Sequence, residues 1–256
     1  MSAAQPLPGA QAPAARVRYE LLNTLRGVCI LSMVAYHACY DLANIKGLSM
    51  PWFHTRGAYW WQQSICWGFI LLSGLCWHFS RNPLKRGLIV FAAGGLISLV
   101  TVLAMPGEAV WFGVLSLIGS AMLLMVPLEK LLRKIPAGWG LAVSLLLFFL
   151  LRNVPRGTLG FEGLILSPLP DWLYVTDWLA PLGFHTSAFV SSDYFALIPW
   201  LFLYLAGYFL WRVLERSPRV LAALRRGAPP LSFLGKHSLL IYLLHQPLLM
   251  GIFMLI

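Results

Sequence analysis

Charge is scarce in this chain, and negative charge scarcest. Asp, Glu, Lys and Arg make up 11% of the residues, with nine acidic side chains against nineteen basic ones. Soluble domains carry about 25% charged residues, so at 59% hydrophobic a water-soluble domain is excluded. Cysteine is also sparse. Cys29, Cys39, Cys66 and Cys76 form no C-x-x-C pair, which argues against a disulfide scaffold or a zinc site and for buried, inert thiols. No phosphate loop, H-E-x-x-H run or zinc-type Cys/His cluster occurs, so a nucleotide hydrolase or zinc protease is disfavoured and no metal is expected. Residues 1–15 have no charged side chain and no apolar run. They lack the basic and apolar regions of a signal peptide, and the tail to residue 17 reads as disordered. No internal duplication supports a transporter built from inverted halves.

Long apolar runs fill the rest. Runs of about 20 residues are membrane-span candidates, and seven lie near 22–43, 60–80, 87–105, 109–127, 137–152, 194–212 and 235–256. The expected fold is therefore all-α, a polytopic membrane bundle in a single domain over 18–256. The stretch 153–192, broken by Pro155, Pro168, Pro170 and Pro181, reads as a long loop with a re-entrant piece or short helices. Eleven Trp and nine Tyr suit aromatic belts at the membrane surface, and Tyr59-Trp60-Trp61 resembles one anchor. A net charge of +10 suggests nucleic acid, but the cations sit in short loops between apolar runs, so the expected partner is the bilayer. With the N-terminus cytoplasmic, fourteen of the nineteen Lys and Arg fall on the inner side, four on the outer side, and Arg26 within the first run. That bias follows the positive-inside rule.

Ionisable groups inside a span are costly and default to function. Arg26 and His37 both lie in the first run, eleven residues apart. At 100° per residue they return to within about 20° of each other on one helix face, and Asp41 follows one turn later. The functional reading is an anion-binding Arg near the inner mouth and a general base deeper in, with Asp41 fixing the His37 tautomer. The bland reading is an Arg snorkelling to headgroups and a His bonded to a neighbouring helix. In the last run His245 is a second acid/base or a structural bridge. Gln246, beside Pro247, is placed to donate to a carbonyl oxygen. Lys236 and His237 face headgroups or a phosphorylated ligand. Asp193 opens the sixth run as a helix N-cap, with a sugar hydroxyl or amine as its alternative partner. A lone His54 in an outer loop is ordinarily solvated.

Several segments together resemble a known family. They are Glu20-Leu-Leu-Asn-Thr-Leu-Arg-Gly27 leading to Met33-Val-Ala-Tyr-His-Ala-Cys-Tyr-Asp-Leu42, then Phe69-Ile-Leu-Leu-Ser-Gly74, Lys85-Arg86-Gly87 and Trp111-Phe-Gly-Val-Leu115. Asp193-Tyr194 with Pro199-Trp200, and Gly235-Lys-His-Ser-Leu-Leu-Ile-Tyr-Leu-Leu-His-Gln-Pro247, complete the set. From about Arg18 to the C-terminus the chain is similar to bacterial membrane proteins grouped with the catalytic domain of heparan-α-glucosaminide N-acetyltransferase. The resemblance implies acyl transfer from cytoplasmic acetyl-CoA, or another acyl-CoA, to a hydroxyl or amine of an extracytoplasmic sugar or glycan. It implies a bacterial inner-membrane location, Arg26 on the donor and His37 deprotonating the acceptor. Asn23 stands where relatives commonly have Asp, and Ser116 where they often have His. The eukaryotic enzyme's catalytic His falls near His54, which brings His54 to the acceptor side. An oligomer is compatible with this reading. Its rivals are a proton-coupled transporter using His37, Asp41 and His245 as a relay, and a non-catalytic scaffold.

Overall fold

The structure, a computed structural model, describes residues 18–255; the tail expected over 1–17 lies outside the described residues. The apolar runs form helices α1 (Glu20–Tyr40), α2 (Arg56–Leu75), α3 (Pro83–Ala104), α4 (Val114–Leu132), α5 (Ala137–Leu150), α6 (Leu197–Leu214) and α9 (Ser238–Met254), with short α7 (Pro218–Leu224) and α8 (Pro229–Lys236) between the last two. Among the described residues five helices are long and apolar enough to cross a membrane, and a sixth span arises if α8 and α9 are counted as one. The count differs from the expected seven for a physical reason. Helix α2, at 20 residues, has the length, but Gln62, Gln63 and its Trp and Tyr residues dilute its apolarity.

The last apolar run is not straight. Helices α8 and α9 meet at His237 with an 82° bend. The bend lays α8 across the first turns of α1, where glycine on both sides lets the backbones touch. A Cβ on Gly27 would stand 1.9 Å from the Leu231 carbonyl oxygen, and one on Gly235 1.9 Å from that of Asn23. Hydroxyls finish the junction: Thr24 Oγ1 lies 2.9 Å from Ser232 Oγ and accepts from the Ala228 N–H at 3.0 Å. The main core fills the space between α2, α4, α5 and α6, around Ile70, Leu117, Met122, Phe148, Tyr204 and Phe209.

The all-α expectation holds except in the stretch 153–192. In place of a re-entrant span it forms an antiparallel hairpin, β1 (Thr158–Phe161) and β2 (Leu164–Pro168), followed by single 3-10 turns at Asp171–Tyr174 and Asp177–Leu182. Pro168 ends β2 and Pro170 precedes the first turn, while Pro181 sits inside the second, and each removes a donor that a longer helix would need. The hairpin is pinned to the bundle by buried Asn153, whose Nδ2 donates to the Glu162 carbonyl at 2.9 Å, and by Arg152 and Arg156, which reach the Glu162 carboxylate at 3.2 and 3.1 Å.

Candidate functional site

At the end of the bundle where α1 begins, the starts of α1 and α3, the turn after α2 and the end of α8 surround a cavity of about 480 Å³. Arg18, Arg26, Arg81, Arg86 and Lys236 line it, with Asn23 and the rings of Tyr19 and Phe79. Asn82 caps α3 by accepting from the Lys85 N–H at 3.0 Å, and Pro83 starts the helix. This fixes Arg81 just before the helix and Arg86 one turn inside it. Lys236 is neutralised by Glu20 at 3.0 Å. Among the described residues the guanidinia of Arg18, Arg26, Arg81 and Arg86 have no hydrogen-bond acceptor and no ion-pair partner. Four such groups around one cavity repel one another, and an anion relieves that repulsion through charge-assisted, often bidentate, contacts. Arg18, Arg81 and Arg86 were legible in the sequence only as topology charges. Arg86 stood further only in the Lys85-Arg86-Gly87 segment of the family resemblance, just before the third apolar run.

His37 lies on α1 about 16 Å beyond Arg26 at 1.5 Å per residue. Its half-buried ring meets that of His245 edge-on, with centroids 4.8 Å apart, and makes no hydrogen bond among the described residues. His245 is buried, and its Nδ1 lies 2.6 Å from the Tyr242 carbonyl oxygen. A carbonyl only accepts, so Nδ1 carries the proton and Nε2 keeps a lone pair. That Nε2 is buried without a partner among the described residues.

The expected pairing of Asp41 with His37 gives way to another. Asp41, 1% exposed, accepts from Gln246 Nε2 at 2.8 and 3.1 Å through its two oxygens. The reason is local: α1 loosens into a π turn at Asp41–Ile45, and α9 presents Gln246 to that turn. Gln246 thus donates to a carboxylate of the chain itself, and its Oε1 is left buried with no partner among the described residues.

The remaining predicted residues lie apart from this cluster. Asp193 caps a helix, but it is α4 and not α6: its Oδ2 accepts from the Val114 N–H at 3.2 Å. Burial pushes its carboxyl up to about 6, against the pull of that N–H. His54 is exposed at the end of the Pro51–His54 turn, with its ring against Phe53. His237 sits exposed at the α8–α9 bend with Nδ1 2.9 Å from the Phe233 carbonyl oxygen, at the C-terminal cap of α8. Lys236 reaches the cavity, but through its pair with Glu20. Ser116 is buried against Gly94 in the α3–α4 contact.

The arrangement joins a cationic cavity to a pair of histidines along one helix face. No curated protein and no solved structure shows significant similarity to the chain. The family model described as heparan-alpha-glucosaminide N-acetyltransferase, catalytic, matches residues 18–247, from the first arginine of the cavity through His245, Gln246 and Pro247. The chain belongs to the heparan-alpha-glucosaminide N-acetyltransferase catalytic-domain family.

Proposed function

We propose that this membrane protein transfers an acetyl or similar acyl group from cytoplasmic acyl-CoA to a hydroxyl or amine of an extracytoplasmic sugar or glycan. The observation that carries the proposal is the set of four arginines, without an acceptor among the described residues, around a cavity that Arg26 shares with the helix of His37. A ligand suited to it has anionic groups at one end and its reactive atom a long arm away. Acetyl-CoA has that form, with phosphates on the nucleotide and a thioester at the tip of a flexible chain. Family membership supports the acetyl group, and the charge bias of the loops supports the direction.

In this reading Arg18, Arg26, Arg81 and Arg86 hold the phosphates, and Tyr19 and Phe79 offer faces to the adenine. The thioester then lies near His37. The acceptor's O–H or N–H attacks the thioester carbonyl, His37 takes the proton, the C–S bond breaks, and the thiolate leaves to be protonated as free CoA. General-base help of this kind is worth 10²–10⁴-fold. His245 faces the His37 ring with a lone pair on Nε2 and serves as the second acid/base or as the acceptor that orients His37. Asp41 and Gln246 lock α1 to α9 beside the pair, and Asp193 and His54 lie toward the acceptor side. The arginine-rich end faces the cytoplasm, in keeping with the charge bias of the loops, and the membrane is the bacterial inner membrane.

The test is acetyl-CoA consumption by purified protein with a panel of amino sugars and envelope glycans, wild type beside His37→Ala. Turnover that requires an acceptor and disappears in the variant is the expected result. Absence of acetyl-CoA binding and turnover, with proton-coupled uptake into vesicles that depends on His37, would establish the transporter instead.

A further inference from the structure

The hairpin end of the molecule carries a surface that acyl transfer does not use. The first three residues of β2 are all apolar and bare: Leu164, Ile165 and Leu166 are 59–64% exposed. The turns that follow continue the pattern, with Trp172 and Val175 at about 70% and Trp178 at 90% exposed. Exposed apolar groups scattered singly need no explanation, but six within fifteen residues of chain form a surface that a soluble loop does not show.

Positive charge is absent from the same segment, and of its acids only Asp171, at the start of the first turn, is exposed without a partner among the described residues. Residues 158–182 contain no Lys or Arg and three acids. Glu162 is neutralised by Arg152 and Arg156, and Asp177 Oδ1 is occupied by the Thr186 N–H at 2.8 Å. The segment is also continuous with the lipid-facing side of the bundle. Phe161 of β1 packs on Phe149 at 5.1 Å, and Phe149 with Leu146 belongs to the exposed apolar face of the α5 span. Tyr174, in the first turn, donates its hydroxyl to the Val154 carbonyl at the end of that span.

We infer that residues 158–182 form a shelf lying on the membrane leaflet at the hairpin end, with β2 and the tryptophans among the lipid headgroups and the first carbons of the acyl chains. Backbone chemistry sets the depth. A two-stranded sheet has free N–H and C=O groups on both outer edges, and hydrocarbon cannot satisfy them. The headgroup layer can, and it is where Trp is favoured. The partner is therefore lipid at the interface. The inference is independent of the acyltransferase reading.

The experiment uses the full-length protein in vesicles of phosphatidylethanolamine and phosphatidylglycerol. Ile165→Cys and Trp178→Cys, each in a background with the four native cysteines replaced, receive an environment-sensitive fluorophore. Nitroxide-bearing lipids and aqueous iodide serve as quenchers. Leu146→Cys marks the lipid-facing control and Arg225→Cys, exposed at the opposite end, the aqueous one. The expected result is blue-shifted emission at positions 165 and 178. Nitroxides near the headgroup should quench it several-fold, and nitroxides at the chain end less. Iodide quenching equal to that at position 225, with no lipid quenching, would overturn the shelf and leave the surface to a water-borne partner such as a glycan. If the cysteine-free background does not fold, hydroxyl-radical oxidation of the wild type decides the matter. Trp172 and Trp178 should be protected in vesicles relative to the protein after the lipid is stripped by detergent of small headgroup. Equal oxidation in both would overturn the inference.

Discussion

At one end of the bundle Arg18, Arg26, Arg81 and Arg86 crowd a cavity and touch no acceptor among the described residues. At the other end Arg152 and Arg156 share Glu162. Arg152 also donates to Gln63 at 3.0 Å and lies over the Trp200 ring at 4.7 Å, and Arg156 adds Asn153 at 3.4 Å. The chain thus shows that it can pair an arginine when the role is structural. Leaving four unpaired around one space costs stability through mutual repulsion, and such an arrangement is useful where an anionic ligand completes it. The difference separates arginines that hold the fold from arginines that, in the proposed function, hold the acyl donor.

The largest expected effect lies between the two ends. Replacing His37 with Ala should lower turnover by about 10²- to 10⁴-fold while acyl-CoA binding stays near wild type, because the cationic cavity is untouched. Equilibrium binding of radiolabelled acetyl-CoA beside initial-rate measurements separates the two. Equal losses of binding and rate would place His37 in the donor site and weaken the division of labour drawn above.

Next comes Arg152→Ala at the structural end. It leaves Glu162, whose side chain is only 18% exposed, with one cation fewer and the Trp200 ring uncovered. Breaking a buried pair by removing one partner costs about 3–5 kcal/mol; with Arg156 still present, the lower part of that range is expected. Thermal unfolding in detergent reads it, and turnover per folded molecule should hold. Arg26→Ala is the matching experiment at the other end. A hydrogen bond to a charged group is worth about 1.5–3 kcal/mol, so donor affinity should fall by about tenfold or more. Thermal stability without ligand should stay level or rise, since one repelling charge is gone. If Arg26→Ala destabilised the free protein as much as Arg152→Ala does, both arginines would be structural and the contrast would collapse.

How far the chain could be read in advance follows from which contacts are local. The Arg26–His37 stripe was legible because both residues sit on one helix, where 3.6-residue geometry fixes their faces. The cavity was not, because its other arginines come from the position two residues before α1, the turn after α2 and the first turn of α3. His245 stood out as a polar group in an apolar run, yet its contact with His37 depends on the α8–α9 bend at His237, which a continuous apolar pattern hides. Asp41 misled because helical periodicity assigned it to His37, whereas the π turn hands it to Gln246. The hairpin was missed for a similar reason: Leu159, Phe161, Leu164 and Leu166 are too few and too interrupted by glycine to show the period of a strand.

The smallest expected effect tests the same distinction at a single carboxylate. Asp193 is used structurally, as the cap of α4, yet burial holds its carboxyl at about 6. Asp193→Ala leaves the Val114 N–H unmet and should cost about 1 kcal/mol, the usual price of a lost N-cap. Asp193→Asn keeps an acceptor for that N–H and removes the charge. The sign of the pH effect follows from the raised value. Between the ordinary carboxyl value of 3.8 and about 6 the folded chain keeps a proton that the unfolded chain has lost, so stability falls as pH rises through that window and levels off above it. The Asn variant has no such dependence and should gain on the wild type as pH rises through the window. Unfolding midpoints at pH 4 to 7 for both proteins give the comparison. A cap that works as an ion would show the reverse: a wild type that strengthens as Asp193 ionises, and an Asn variant that falls behind it. That outcome would move Asp193 from the structural set to the groups that keep a charge for a partner.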